Sequence, residues 1–154
     1  MPGTVLEAAS DPSRRLALAL HRATGLLDRV ADAYLRPAHG IGVSTFAALV
    51  AIDAVGPANQ TVVARALDVS RAAVTQRLSG LVARGLVAVV ADPGDSRAHV
   101  VTLTTAGREL LGQAWAGLAR SEDGVEDGVD VAALTAALVT LADNAERHLG
   151  RVAG

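Results

Sequence analysis

The sequence predicts a mainly α-helical fold with one small β-hairpin, an α+β architecture. Three observations predict it. Apolar residues recur at intervals of three and four along six segments, one β-branched run returns after a polar turn, and capping residues stand at segment borders. At 154 residues, 51% of them hydrophobic and only 2% aromatic, the chain can bury one aliphatic core. We therefore expect a single domain over residues 1–154.

The first predicted helix covers residues 13–36, after a few N-terminal residues that are expected to be disordered. This helix is predicted to stop near Arg36-Pro37. A connector leads to Ser44, the predicted N-cap of a second helix that ends at Gly56-Pro57. The first helix carries a seam spaced for packing against another helix, made of Leu16, Leu20, Ala23, Leu27, Val30 and Tyr34.

Two short helices with a tight break between them come next. Residues 59–67 form the first, and Asp68-Val69 break the chain before Ser70, the natural N-cap of the second. Gly85 stands where a C′ glycine would end that helix. Its predicted core face holds Val74, Leu78, Leu81 and Val82, and its opposite face holds Ala72, Gln76, Ser79 and Ala83. This spacing is typical of a helix-turn-helix.

The free face of the second helix is small and uncharged in its middle. Such a surface can approach base edges without a steric or desolvation penalty, as major-groove readers require. Ser70 is also expected to donate to a phosphate from the helix N-terminus. The alternative for the longer side chains is an ordinary solvated helix face. The predicted DNA contacts here are Ser70, Arg71, Ala72, Thr75, Gln76 and Arg77.

A β-hairpin is predicted after the second short helix. Residues 86–91 and 98–103 are the strands, and residues 92–96 have turn chemistry. Arg97, beside the tip, is predicted to enter a minor groove, the alternative being a simple exposed arginine. Asp95 is predicted either to orient Arg97 or to pair with Arg77 or Arg84, and an Asx turn is the alternative. We interpret the hairpin as a wing.

In order and spacing, these residues resemble the multiple-antibiotic-resistance regulator (MarR) family of winged-helix transcription factors. About 45 residues carry the resemblance: Val63-Ala64 and Leu67, Ser70 through Val87, the wing signature Asp92-Pro93-x-Asp95-x-Arg97, and Leu103-Thr104-x-x-Gly107. The resemblance implies a winged helix-turn-helix head at residues 44–104, with N- and C-terminal dimerisation helices. It also implies a homodimer that binds a pseudo-palindromic operator in double-stranded DNA.

Two positions depart from the family pattern. Gln76 stands where many members carry arginine, and Val62 stands where the residue is often acidic. Glutamine can pair bidentately with adenine, whereas arginine favours guanine. The operator preference of relatives is therefore not carried over to this chain.

The C-terminal third is predicted to form two helices around an acidic connector at residues 122–130. Residues 105–120 are the first, and the second begins at Val131; residues 13–36 and 105–149 are the predicted dimerisation helices. Apolar stripes at both ends of a small chain can be buried only against each other or against a second subunit. The stripe of the last helix contains Val131, Leu134, Leu138, Leu141, Ala145 and His148 or Leu149.

The net charge of −2 conceals an uneven distribution. Residues 59–108 carry six arginines and three aspartates, a net charge of +3, which leaves −5 for the remainder. Phosphate contacts are local, so this distribution matters more than the sum. Two such heads in a dimer predict DNA affinity with a steep salt dependence.

Other classes of function are disfavoured by what the sequence lacks. With no cysteine it has no thiol chemistry, and the histidines at 21, 39, 99 and 148 lack metal-site spacing. No nucleophile motif or phosphate loop indicates an enzyme, and we expect no cofactor or metal. No apolar run is long enough for a bilayer and no secretory signal opens the chain. We therefore expect a soluble cytoplasmic protein with no membrane partner.

The resemblance further implies a small phenolic or amphipathic effector. The candidate pocket residues are His21, Tyr34, His39, Phe46 and Trp115, although aromatic residues of this kind often belong to the core. The sequence thus predicts a DNA-binding transcriptional regulator, and the resemblance implies a homodimer that represses by default and that such an effector releases. The alternative is a ligand-binding or protein-interaction module of the same fold that acts as an antirepressor without contacting DNA.

Overall fold

The computed structural model describes residues 11–153, so the predicted disorder of the first few residues lies outside the described part. The chain has two compact units, which meet between Arg120 and Ser121. It is mostly helical with one two-stranded antiparallel sheet, which confirms the predicted fold class. The elements are α1 Pro12–His39, α2 Val43–Val55, α3 Gln60–Ala66, α4 Arg71–Ala83, β1 Val87–Asp92, β2 Asp95–Leu103, α5 Thr105–Arg120 and α6 Val131–Val152.

Helix α1 is longer than predicted. It begins after the N-cap Asp11 and continues through Pro37 to His39, so the predicted stop at Arg36-Pro37 is wrong. Proline lacks the N–H that would bond to the Ala33 carbonyl, and its ring crowds that carbonyl, but it does not prevent the residues after it from continuing the helix. Gly40, at a left-handed φ of 65°, ends the helix by donating its N–H to the Arg36 carbonyl at 3.0 Å.

The cap of α2 comes from α1 and not from Ser44, so that prediction is also wrong. The N-cap residue is Gly42, and Asp32 Oδ1 accepts the Val43 N–H at 2.6 Å. Arg36 donates to the other carboxylate oxygen of Asp32 at 3.1 Å. The Val43 amide, opposed by burial and helped by Arg36, holds the pKa of Asp32 below its ordinary value of 3.8. The two helices are thereby joined at their corner.

The core of the first unit lies among the end of α1, helices α2 to α5 and the inner part of the hairpin. Its fully buried centre includes Leu49, Ile52, Val63, Val74 and Val101. The predicted core face of α4 is confirmed for Val74, Leu78 and Leu81 but wrong for Val82, which is 43% exposed. Val82 lies about 80° round the helix from Val74, at the edge of the buried stripe.

The predicted hairpin is confirmed, with strands that reach closer to the tip than expected. Regular pairing runs from Val87 opposite Leu103 to Ala91 opposite His99, and Asp92 then pairs with Asp95. Residues 96–98 have no partner in this register. At the inner end, the Val101 N–H donates to the Ala58 carbonyl at 2.7 Å, which anchors the wing to the chain just before α3.

The second unit consists of the acidic connector and α6. Asp130 Oδ1 accepts the Ala133 N–H at 3.0 Å and caps the helix, which begins at Val131 as predicted and continues to Val152. None of its residues is buried. The apolar stripe is exposed at Val131, Leu134, Leu138, Leu141 and Leu149.

Within residues 11–153, no single helix has the length and apolar character needed to cross a bilayer. Helices α1 and α2, bent by 88°, meet that criterion only when taken together. Leu49 and Ile52 of α2 belong to the core described above.

Candidate nucleic-acid interface

Helix α4 is held at its N-terminus by local caps. Ser70 Oγ accepts the Ala73 N–H at 3.2 Å, as predicted for an N-cap, and Asn59 caps α3 in the same way through Val62. The turn between the two helices passes through Asp68 at a φ of 50°. Ser70 uses its oxygen as an acceptor in the cap, so its own hydroxyl proton remains available to an acceptor outside the chain.

The predicted contact residues of α4 share the exposed side of that helix. Between Ser70 and Gly80, the buried side is formed by Val74 and Leu78, and Ala73 is half-buried. Neither Arg71 nor Arg77 forms an ion pair with any residue in the described part of the chain. The exposed side therefore offers two unneutralised cations around a small, polar centre. Its predicted contact residues are Ser70, Arg71, Ala72, Thr75, Gln76 and Arg77.

The wing tip contains two successive Asx turns. Asp92 Oδ1 accepts the Gly94 N–H at 2.8 Å, and Asp95 Oδ1 accepts the Arg97 N–H at 3.0 Å. Asp95 pairs with neither Arg77 nor Arg84, because the one ion pair among residues 11–153 joins Arg36 and Asp32. Asp95 therefore acts on the backbone of Arg97, whose exposed side chain extends from the segment without a strand partner.

The five candidate pocket residues do not form one cluster. Tyr34 and His39 are joined by a hydrogen bond of 3.1 Å between Oη and Nε2. Phe46 and Trp115 stack with centroids 5.7 Å apart at 17°. His21 is exposed and lies thirteen residues from Tyr34, about 20 Å along α1. The structure thus pairs four of the candidates and leaves His21 apart.

A groove of about 530 Å³ lies between α2 and α5. Its walls are mostly apolar, and Asp53 and Arg108 provide its charges. Trp115 is 57% exposed and forms part of the lining, so in this chain it is not a core residue. The lining residues are Val50, Asp53, Ala54, Arg108, Leu111, Gly112, Trp115 and Ala116.

Solved structures with this arrangement are transcriptional regulators. CouR, a repressor solved on a 23-mer DNA duplex, is 28% identical with a TM-score of 0.72, covering 94% of this chain and 98% of its own. A MarR mutant from E. coli, solved with operator DNA, is 26% identical with a TM-score of 0.70, covering 82% and 92%. A family model described as the MarR family matches residues 39–98. The chain is therefore similar to MarR-family proteins in its head, over residues 39–98, and in its fold.

The family match and the two DNA-bound structures indicate that this protein is a DNA-binding transcriptional regulator. The matched residues begin at the end of α1 and include α2, α3, α4 and the wing tip with Arg97. BpsR from Bordetella bronchiseptica, whose DNA binding is regulated by 6-hydroxynicotinic acid, has the same fold. It is 24% identical with a TM-score of 0.70, covering 89% of this chain and 97% of its own. The comparison with curated proteins finds no match.

The sequence analysis did not predict two polar contacts of this helix-turn-helix head. Thr75 of α4 donates its hydroxyl to Gln60 Oε1 of α3 at 3.3 Å. Arg84, at the end of α4, donates through Nη2 to the Gly40 carbonyl at 3.4 Å. The partners are 15 and 44 residues apart, and no local pattern in the sequence links them. Both contacts tie α4 to its neighbours.

Proposed function

We propose that this MarR-like regulator is a homodimeric repressor that occupies a pseudo-palindromic operator and is released by a small aromatic or amphipathic effector. The observation that carries the proposal is the exposed side of α4, which is free of ion pairs and is followed in the chain by a wing bearing Arg97. Occupation of a promoter by such a dimer would exclude the transcription machinery.

In this proposal α4 lies in the major groove and the wing lies at the adjacent minor groove. Thr75 and Gln76 contact base edges, and Ala72 allows the close approach that they need. Ser70, Arg71 and Arg77 contact phosphates, which fixes the register of the helix on the duplex. Arg97 enters the minor groove, and its backbone is held in place by Asp95.

The proposed dimer is supported by two exposed apolar stripes. One lies on α1 of the first unit, and the other lies on α6 of the second unit. On α1, Leu16 and Leu27 are both 49% exposed, and on α6 Leu134 is 49% exposed. Large exposed apolar patches are uncommon on monomers and mark interaction surfaces. Burying such side chains contributes about 25 cal/mol for each Å² removed from water. A second copy of the chain would provide that burial with two-fold symmetry.

The proposed effector site is the groove between α2 and α5. An exposed tryptophan stacked on Phe46 offers a flat apolar surface, and Arg108 offers a cation at the same groove. An effector can release DNA only by its differential affinity for the DNA-free form. BpsR, which shares this fold, supports the idea that a small aromatic acid can act in this way.

A mobility-shift assay on fragments of the source genome at two salt concentrations tests the proposed function. A DNA reader that contacts several phosphates must retard selected fragments at low salt and lose affinity by orders of magnitude at higher salt. Absence of retardation on every fragment would contradict the proposal. It would favour the alternative of an antirepressor module that does not contact DNA.

The different roles proposed for Arg97 in the wing and Gln76 in α4 give one prediction. Arg97→Ala is expected to weaken binding to all sequences and to lower the salt slope by about 2, because each dimer loses two minor-groove cations, each of which displaces a counterion. Gln76→Ala is expected to cost about 1–3 kcal/mol on the preferred sequence and to relax base preference, since it removes a base contact. Fluorescence anisotropy on selected and unrelated duplexes measures both effects.

Neither substitution should change thermal stability, because both side chains are exposed. Each variant is therefore its own folding control by circular dichroism. An equal loss on all sequences for both variants would contradict the assignment of Gln76 to base reading.

The effector site gives a second prediction. Trp115 is the single tryptophan, so its fluorescence reports on the groove alone. Among aromatic carboxylic acids, with 6-hydroxynicotinic acid as one of them, a compound that releases DNA is expected to change Trp115 emission over the same concentration range. Acids that do not release DNA are the matched control. A releasing compound that leaves the emission unchanged would place the effector site elsewhere.

A further inference from the structure

One side-chain contact joins the two helices of the helix-turn-helix and is not explained by the proposed DNA contacts alone. Gln60 is the first residue of α3, and Thr75 lies one turn into α4. Within residues 11–153, theirs is the one hydrogen bond between side chains of these two helices, at 3.3 Å from Thr75 Oγ1 to Gln60 Oε1. The same hydroxyl lies 3.0 Å from the Arg71 carbonyl, its other acceptor.

This contact restricts what Thr75 can present to DNA. A hydroxyl has a single proton, and here that proton is directed at acceptors inside the protein. The threonine methyl group, which makes apolar contacts with thymine methyl groups in the major groove, is left for the base edges. The Arg71 carbonyl and the Gln60 amide oxygen together hold the side-chain rotamer of Thr75, a residue that faces DNA in the proposed function.

The rest of the Gln60 amide is unused. Its oxygen accepts from Thr75, while its two Nε2 protons have no hydrogen-bond partner in residues 11–153. The side chain is half-buried, so the free donors stand at the surface and not in the core. In helix-turn-helix proteins the first helix crosses the sugar-phosphate backbone while the second enters the groove. Glutamine amides are among the groups that donate to phosphate oxygens.

We propose that Gln60 bridges DNA and protein, donating its amide protons to a backbone phosphate while its oxygen accepts from Thr75. This inference rests on the proposed DNA binding. Gln60 is then a positioning residue: the phosphate sets the amide, the amide sets the Thr75 hydroxyl, and the Thr75 methyl meets the base. The contact is neutral, so it releases no counterion on binding.

Two substitutions at position 60 separate the parts of the bridge. Gln60→Glu keeps an acceptor for Thr75 but replaces the donors by a negative charge, so binding is expected to fall more than about tenfold with base preference retained. Gln60→Ala removes both contacts, with an expected loss of about fivefold and a relaxed preference at the base next to Thr75. The salt slope of the alanine variant should remain that of the wild type.

A double-mutant cycle with Thr75→Val tests the connection itself. Valine keeps the shape of threonine and a methyl group but cannot donate. If the bridge exists, Gln60→Ala combined with Thr75→Val weakens binding no more than the larger single effect, because both remove the same contact. Losses that multiply independently would overturn the proposal.

The measurements use the full chain and a duplex selected by the wild-type protein from a randomised library. Gln113→Ala, an exposed glutamine on α5, is the matched control and should bind as the wild type does. Thermal melting shows that each variant is folded. A Gln60→Glu variant with wild-type affinity would overturn the proposal. A wild-type chain that selects no duplex would instead refute the DNA-binding function, so the two failures are distinguishable.

Discussion

Replacement of Gly107 by alanine is expected to destabilise the protein by about 3 kcal/mol, at the upper end of the usual cost of overpacking. A Cβ at Gly107 would collide with the Leu86 carbonyl oxygen. That carbonyl cannot move freely, because it accepts the Thr104 N–H at 3.1 Å. Thr104 also donates to the Gly85 carbonyl and accepts from the Gly107 N–H, so the whole junction between α4 and α5 is tied together.

Urea unfolding followed by circular dichroism measures this effect, and the melting temperature should fall by about 10 °C. Gly112→Ala is the matched control, since a Cβ there meets nothing within 4 Å. That substitution is expected to raise stability by up to about 1 kcal/mol through the better helix propensity of alanine. A Gly107→Ala protein as stable as the wild type would contradict the close approach of α5 to Leu86.

Leu138→Asp is expected to convert the dimer into a monomer. The change places an unpaired charge in the middle of the exposed stripe of α6, where the proposed interface would bury it. Without the dimer the two heads no longer bind as one unit, and operator affinity should fall by at least about 100-fold. Size-exclusion chromatography with light scattering measures the mass, and anisotropy on the selected duplex measures the affinity.

Thr140→Asp is the control for charge and for helix propensity. It adds the same charge to the same helix about 200° round from Leu138, on the side opposite the stripe. Its hydroxyl bonds only to the Ala136 carbonyl, one turn earlier. We expect this variant to remain dimeric and to bind DNA. A stable, monodisperse dimer of Leu138→Asp would refute the assignment of α6 to the interface.

The features that were predicted correctly depend on neighbours close in sequence. Ser70 caps α4 through an amide three residues away, and Gly85 follows the end of the same helix at a φ of 70°. The hairpin follows from β-branched strands on either side of a polar turn, closed by Asx turns that span two residues. Chain-local hydrogen bonds of this kind leave a direct pattern in the sequence.

The predictions that were wrong involved neighbours distant in sequence or the edge of a buried surface. Ser44 is a good capping residue, yet Asp32 from α1 caps α2 across eleven residues. Arg36-Pro37 was predicted to end α1, but the helix continues to His39 and is capped by Gly40. Val82 is as apolar as its neighbours and remains exposed because the core does not extend round to it. Periodicity shows which side of a helix is apolar, but the packed partner decides how much of that side is covered.

The sequence by itself determined the order of the elements, the caps of α4, the wing and the resemblance to the MarR family. Each of these features depends on residues that are close together along the chain. Only the tertiary structure decided that Gln60 meets Thr75, that Arg84 reaches Gly40, and that Trp115 lines a groove. Contacts of that kind arise when separate helices pack, and the free energy of packing depends on surfaces that no single segment contains.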